Sequence, residues 1–300
     1  MSENDFIGIL QICKGLSLTD CYWVTHPNDQ KTFAEVNLFD NRFSQVLSQI
    51  AFTGYGSSPV SKFRSSPEFT TNGMLPKAWR RKEGKVLLYK GGTSGLANTG
   101  KEPYSEFYAA QVAEAMGIPH VTYGLSKWKG HLCSTCELFT SKDVSFVPAS
   151  TLINTSKISK IIDWYDDHGW KNDLADMLVL DAIIRNTDRH LGNFGFLVDN
   201  HTNQLLRPAP VFDNGLSLYC YVMDNDLNNL LEQEKTLAPA LYANFDEVAL
   251  HVIGQKQKQE LRHLPTFRLK KHGRYNLSDE RVKMLESSIQ EKARYLLESA

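Results

Sequence analysis

No stretch of 18 consecutive apolar residues occurs in this chain, which excludes an ordinary helical membrane span. The start, Met1-Ser2-Glu3-Asn4-Asp5-Phe6, lacks a basic segment followed by an apolar one, so no secretory signal is expected. Net charge is nearly missing: Lys plus Arg number 33 against 34 Asp plus Glu, which removes any whole-chain electrostatic case for nucleic acid or an anionic membrane surface. Cysteine is sparse and odd in number (Cys13, Cys21, Cys133, Cys136 and Cys220), as fits reduced thiols and not a disulfide framework. Internal repeats, low-complexity tracts and a Gly-x-Gly-x-x-Gly fingerprint are absent too. These absences describe a cytoplasmic protein with no direct nucleic-acid or membrane partner.

What remains is 300 residues with 42% hydrophobic and 11% aromatic content, enough for one large domain or two lobes sharing a cleft. Residues 6–13, 21–25 and 33–37, rich in β-branched and aromatic side chains, read as strands. Residues 53–72, dense in Gly, Ser, Pro and Thr, read as a loop. Residues 85–90 form an aliphatic strand whose alternation puts Val86, Leu88 and Lys90 on one face. Gly91-Gly92-Thr93-Ser94-Gly95 then reads as a connector. Pro103 starts a helix that Gly117 stops, and Glu106 shares a small apolar face with Ala110 and Ala113, where a carboxylate wants a cationic partner. Residues 121–127 and 132–140 form a hairpin about Lys129-Gly130 that extends the sheet.

From Ser156 onward the pattern turns helical: residues 156–166, 171–185, 232–241, 246–261 and 278–297, the last capped by Ser278. The fold class is therefore α+β and bilobal, a β-rich N-terminal lobe (residues 1–140) meeting a helical C-terminal lobe (residues 141–300) across a cleft.

The chemistry concentrates in residues 186–215. Asp188 and Asn193 stand in the Asp-x-x-x-x-Asn spacing of a phosphotransferase catalytic loop, where a carboxylate orients the attacking hydroxyl and a neutral amide oxygen holds magnesium. Residues 194–198 and 205–212 read as a hairpin whose return strand delivers Asp213 beside Asn193, a pair of hard oxygen ligands. Cys133 and Cys136, a single C-x-x-C, read as small core thiols and not as a zinc site.

Asn186-Thr187-Asp188-Arg189-His190-Leu191-Gly192-Asn193-Phe194, with Val211-Phe212-Asp213-Asn214-Gly215-Leu216-Ser217 downstream, resembles the signature of the HipA-like serine/threonine kinases, bacterial toxin kinases of phosphoinositide-3/4-kinase-like fold. The resemblance implies ATP and magnesium as cofactors, Asp188 as catalytic base, Asn193 and Asp213 as metal ligands, and His190 as a support of the loop or a packed, capping histidine. It makes Lys90 the nucleotide lysine and Glu106, or the competing Glu114, its helix partner. Residues 70–77 are similar to the family's phosphate loop, with Thr70, Gly73 and Lys77 at its key positions and Thr70 or Thr71 as the autophosphorylation site. It further implies a protein substrate with a Ser or Thr hydroxyl, a growth-inhibiting role and an antitoxin partner. A small-molecule phosphotransferase of aminoglycoside type and a catalytically weak kinase-fold interaction module are the alternatives. A phosphoinositide kinase is disfavoured, because residues 214–234 hold no Lys or Arg but four acids, Asp224, Asp226, Glu232 and Glu234.

Overall fold

The computed structural model describes residues 3–55, 66–71, 75–95 and 98–300. Its first part contains helices α1 (Glu3–Cys13), α2 (Phe33–Val36) and α3 (Gln45–Thr53), strands β1 (Lys77–Lys82) and β2 (Lys85–Gly91), helix α4 (Glu102–Met116) and strands β3 (Tyr123–Trp128) and β4 (His131–Glu137). There follow β5 (Val144–Pro148), α5 (Ala149–Leu152), α6 (Ile158–Asp167), α7 (Lys171–Ile184), β6 (Gly195–Asp199) and β7 (Leu205–Pro208). Helices α8 (Leu230–Glu234), α9 (Phe245–Val252), α10 (Gln255–Leu261) and α11 (Asp279–Ser299) complete the chain. Among the described residues no helix is long and apolar enough to cross a membrane.

Among the described residues two sheets organise the fold, an antiparallel one in the order β1-β2-β4-β3 and a second in the order β5-β6-β7. The β3–β4 hairpin turns at Lys129 and Gly130, both at positive φ, as the sequence predicts. Register pairs Lys77 with Lys90 and Trp79 with Leu88, and Leu88 in turn with Cys136, so these side chains share one face. On the other face Phe52 of α3 packs against Ala78, Tyr89 and Cys133. Cys133 and Cys136 therefore point to opposite sides, and among the described residues no group of three or more potential metal-binding side chains converges.

Three strands expected near the N-terminus are not there. Residues 6–13 lie in α1, which ends where Lys14 and Gly15 turn left-handed. A short, largely apolar run fits helix and strand alike. Residues 33–37 hold α2, started by Thr32, whose N–H and hydroxyl both donate to the Glu35 carboxylate at 2.8 and 2.9 Å. Residues 21–25 form no regular element. Conversely, β1 begins at Lys77, where the expected phosphate loop ends. The helix expected over 232–241 shrinks to α8, and the one over 246–261 divides into α9 and α10, the latter restarted where the Gln257 side chain caps the Gly254 N–H at 3.0 Å.

In the second part α7 is the hub, buried from Leu174 to Ile184 and packed by α4, α6, α9, α10 and α11. An element hydrophobic around most of its circumference belongs in a core, and here it holds the polar loop that follows it in a fixed place. That loop returns through Phe194 into β6, against β5. A Cβ on Gly195 would lie 2.8 Å from Pro148 Cα and run into the Val147 carbonyl. Gly195→Ala must push β5 and β6 apart, and denaturant unfolding should register a loss of about 3 kcal/mol. Stability within experimental error of the wild type would mean that the two strands yield without cost.

Candidate functional site

The site is assembled from four pieces of backbone: β1 and β2, the buried face of α4, the loop after α7, and the residues that follow β7. Pro103 sits in the first turn of α4, and Gly117, at φ 77°, closes the helix with its N–H on Ala113. Ala110 packs with Val121 and Tyr123 on the sheet side of α4, Ala109 and Ala113 join the core around α7, and Glu106 is left with no exposed surface. Glu114 is exposed, so Glu106 is the one that meets the lysine.

Lys90 Nζ donates to Glu106 Oε1 at 2.7 Å and also to the Asp213 carboxylate. Burial works against the ammonium charge, but the two carboxylates outweigh it and hold Lys90 protonated, above its ordinary range. Burial pushes the Glu106 carboxyl up, with the Asp213 charge adding to it and Lys90 opposing. Asp213 is also disfavoured by burial, yet Lys90, Lys77 and Arg189 hold its carboxyl below the usual range. One ammonium between two carboxylates explains the split: the acid with more cations around it stays ionised most firmly. Lys77, opposite Lys90 in register, is pushed down by burial and then by Lys90, while Asp213, Glu106 and Asp188 counter this.

Asp213 adopts a left-handed backbone, φ 56°, a conformation that a non-glycine residue keeps only where its neighbours hold it. The expected hairpin does not deliver it. β7 stops at Pro208, and Val211 instead makes a parallel bridge to His120, with Val121 N–H on Val211 O and Val211 N–H on Pro119 O, both at 2.9 Å. Asp213 N–H then donates to the Tyr123 hydroxyl at 3.3 Å, and Asn214 N–H to Glu106 Oε2 at 2.8 Å. Tyr123 had no signal in the sequence, since an aromatic at a strand start reads as core. Asn214 lay within the quoted motif without a role of its own.

On the loop after α7, Asp188 N–H donates to Asn186 Oδ1 at 3.2 Å. The Asn193 amide nitrogen donates to Asp188 O at 2.9 Å and lies 3.5 Å from Asp188 Oδ2, which commits the nitrogen and leaves Asn193 Oδ1 as an acceptor. Thr187 ties the loop to the stretch after Asp213 through its N–H and hydroxyl on Leu216 O, at 3.0 and 3.1 Å. As donors, one amide oxygen and one carboxylate suit a small hard cation whose shell is completed by phosphate and water oxygens. His190 is exposed, and its Nδ1 accepts the Gly192 N–H at 3.0 Å, the capping arrangement.

The phosphate-loop residues are only partly gathered. Lys77 lies on the Lys90 face of the sheet, whereas the Thr70 hydroxyl is engaged elsewhere, donating to Leu16 O at 3.1 Å. Gly73 lies outside the described residues. The apolar wall expected from Val86 and Leu88 is also altered. Val86 is covered by the chain's own Leu16, Leu18 and Leu38, leaving Leu88 half-buried on that face. The connector after β2 begins fixed, because Glu102 accepts from the Thr93 N–H at 3.1 Å and from its hydroxyl.

No family model matches the chain. It is 24% identical over 227 residues to the serine/threonine-protein kinase CtkA of Helicobacter pylori, covering 70% of this chain and 65% of that protein's length. The crystal structure of the H. pylori proinflammatory kinase CtkA superposes with a TM-score of 0.60 at 18% identity, over 76% of this chain and 91% of that one. A HipA toxin-antitoxin structure from Shewanella oneidensis MR-1, with HipB and operator DNA, aligns with 98% of this chain and 79% of that one at 11% identity, with a TM-score of 0.49. The bilobal α+β fold expected from the sequence is the fold of the CtkA kinase structure, and in sequence the chain is similar to that serine/threonine-protein kinase, of which it spans a little under two thirds.

Proposed function

We propose that this chain is an ATP-dependent serine/threonine protein kinase of the HipA-like type, residues 1–140 serving the nucleotide and residues 141–300 the transfer. The observation that carries the reading is the triad of Lys90, Glu106 and Asp213, the first two buried and the third half-buried, contributed by β2, α4 and the stretch after β7. A core has no structural need for an ammonium between two carboxylates, because desolvating charges is costly and apolar packing does as well. Phosphoryl transfer does need one, since its transition state asks chiefly for positioning and charge neutralisation.

In this mechanism Lys90 and Lys77 face the nucleotide phosphates, and Glu106 keeps Lys90 in place. Asn193 Oδ1 and Asp213 would hold magnesium. The bound ion supplies positive charge against the phosphate oxygens. Asp188, half-buried at the mouth of the loop, orients a Ser or Thr hydroxyl for attack and takes its proton. His190, as a cap on the loop, keeps Asp188 and Asn193 at their spacing.

The lack of Lys and Arg in residues 214–234 still speaks against an anionic lipid head group. Three of the four acids there are already paired, however: Glu234 with Arg185, Asp224 with Arg281 and Glu232 with Lys235. A protein hydroxyl is therefore taken from the kinship with a serine/threonine kinase, not from surface charge. A growth-inhibiting role and a protein antitoxin partner belong to the same reading.

Purified chain with magnesium and labelled ATP tests it. Label should appear on a protein, and Asp188→Ala should lower the rate by about 100- to 10,000-fold, the usual worth of a positioned general base. Peptide mapping should find self-phosphorylation on Thr70 or Thr71. The Thr71 hydroxyl now accepts from Trp79 Nε1 at 3.0 Å, and the Thr70 hydroxyl is held by Leu16 O, so either must leave its partner to react. Equal label on wild type and Asp188→Ala would sink the kinase reading, and label confined to other residues would remove the self-phosphorylation site. Growth arrest by wild type and not by Asp188→Ala, with a co-purifying partner, would support the toxin role.

A further inference from the structure

Arg189 has no exposed surface, and a guanidinium so placed is stable only with every donor satisfied. All five N–H groups are. Nε and one Nη2 hydrogen reach the two oxygens of Asp181 at 2.9 and 3.0 Å, a bidentate pair from the buried face of α7. The other Nη2 hydrogen reaches Asn214 Oδ1 at 2.6 Å, and Nη1 donates to Asn193 O at 2.8 Å and Phe212 O at 2.6 Å.

Three of the five acceptors thus belong to the two segments bearing Asn193 and Asp213. One is the carbonyl of Asn193 itself, and the others flank Asp213 on both sides. Asn214 passes the connection on through its N–H to Glu106, the partner of Lys90. Asp213 sits at positive φ between two residues that this one planar group grips, so its left-handed backbone is fixed from outside.

We propose that Arg189 is a positioning residue that sets the separation and orientation of Asn193 and Asp213, and so the metal affinity of the site; this rests on the phosphotransferase reading. Its partner Asp181 keeps the guanidinium flat and aligned. Charge alone would not do the same work. A lysine could pair with Asp181, but its single nitrogen cannot reach acceptors spread along both segments.

Arg189→Lys is the test, read by Mn2+ binding in electron paramagnetic resonance titrations with a non-hydrolysable ATP analogue present. The variant should bind Mn2+ about tenfold or more weakly, the range seen when groups behind metal ligands are removed. Binding of the same analogue in chelator, without metal, should be unchanged, an outcome that general loosening of the fold would not give. Asn214→Ala removes one of the five bonds and spares the pair with Asp181. It covers the case in which Arg189→Lys fails to fold, and should shift Mn2+ affinity in the same direction by less. Wild-type Mn2+ affinity in a folded Arg189→Lys, or in Asn214→Ala if only that folds, overturns the assignment while leaving the kinase reading intact. A wild-type chain that binds no Mn2+ with the analogue overturns both.

Discussion

Asp213→Ala is expected to lower phosphate transfer by about 100- to 1,000-fold or more, the worth of a preorganised charge at a transition state, while weak nucleotide binding survives. The carboxylate has two tasks in the proposed mechanism: it accepts from Lys90 and it offers an oxygen to magnesium. Alanine removes both, but leaves Lys90 paired with Glu106 at 2.7 Å, and Lys77 beside it, so the phosphates still find cations. Transfer of labelled phosphate and calorimetric titration with ATP measure the two effects separately. Turnover close to wild type in magnesium would remove Asp213 from the metal site. Loss of nucleotide binding equal to the loss of rate would assign it to ground-state binding instead.

Glu106→Gln should damage both stability and rate. Each Glu106 oxygen accepts one hydrogen bond, Oε1 from Lys90 and Oε2 from the Asn214 N–H at 2.8 Å. Glutamine keeps the shape but replaces one acceptor with a donor. Its amide nitrogen must then face either the ammonium or the peptide N–H, with no water in reach of a side chain this buried. A loss of about 3 kcal/mol is expected, the lower end for breaking a buried charged pair, because Asp213 still accompanies Lys90. Urea unfolding checks this part. The rate should fall as well, since Lys90 would then be drawn toward Asp213 and compete for the proposed metal ligand. A variant as stable as wild type would mean that the buried carboxylate contributes little beyond filling space.

The pairing of Lys90 with Glu106 could be anticipated because it follows from local rules. Period-2 alternation aims Lys90, the Pro103 start sets the phase of α4, and a lone acid among alanines needs a cation. The β3–β4 hairpin, α6, α7 and the Ser278 cap of α11 were readable for similar reasons, each being set by residues within a turn or two of one another. The N-terminal helices were not. Residues 6–13 are a short, largely apolar run that fits helix and strand alike, and the Thr32–Glu35 cap is a short signal that the aromatic and β-branched content overrode.

The route by which Asp213 reaches the site also lay beyond local reading. A hairpin from 194 to 212 was the economical inference, but its return strand β7 ends at Pro208, and the chain uses His120 and Tyr123, about ninety residues away in sequence, to place Asp213. The cover over Val86 is of the same kind, since Leu16, Leu18 and Leu38 come from a stretch whose spacing says nothing about where it lands.

The sequence by itself therefore determined the identities and order of the groups that could do chemistry: Lys90, Glu106, Asp188, Asn193 and Asp213, along with the strand and helix that aim the first two. Only the tertiary structure decided how these groups meet. The ammonium lies between two carboxylates, and Lys77 joins from the neighbouring strand. The Arg189 guanidinium binds the two loop segments together, and the N-terminal stretch covers part of the wall. The physical reason is range: hydrophobic period, caps and turns act over a few residues. A buried guanidinium or ammonium must satisfy all its donors, and its acceptors come from wherever in the chain the packing brings them.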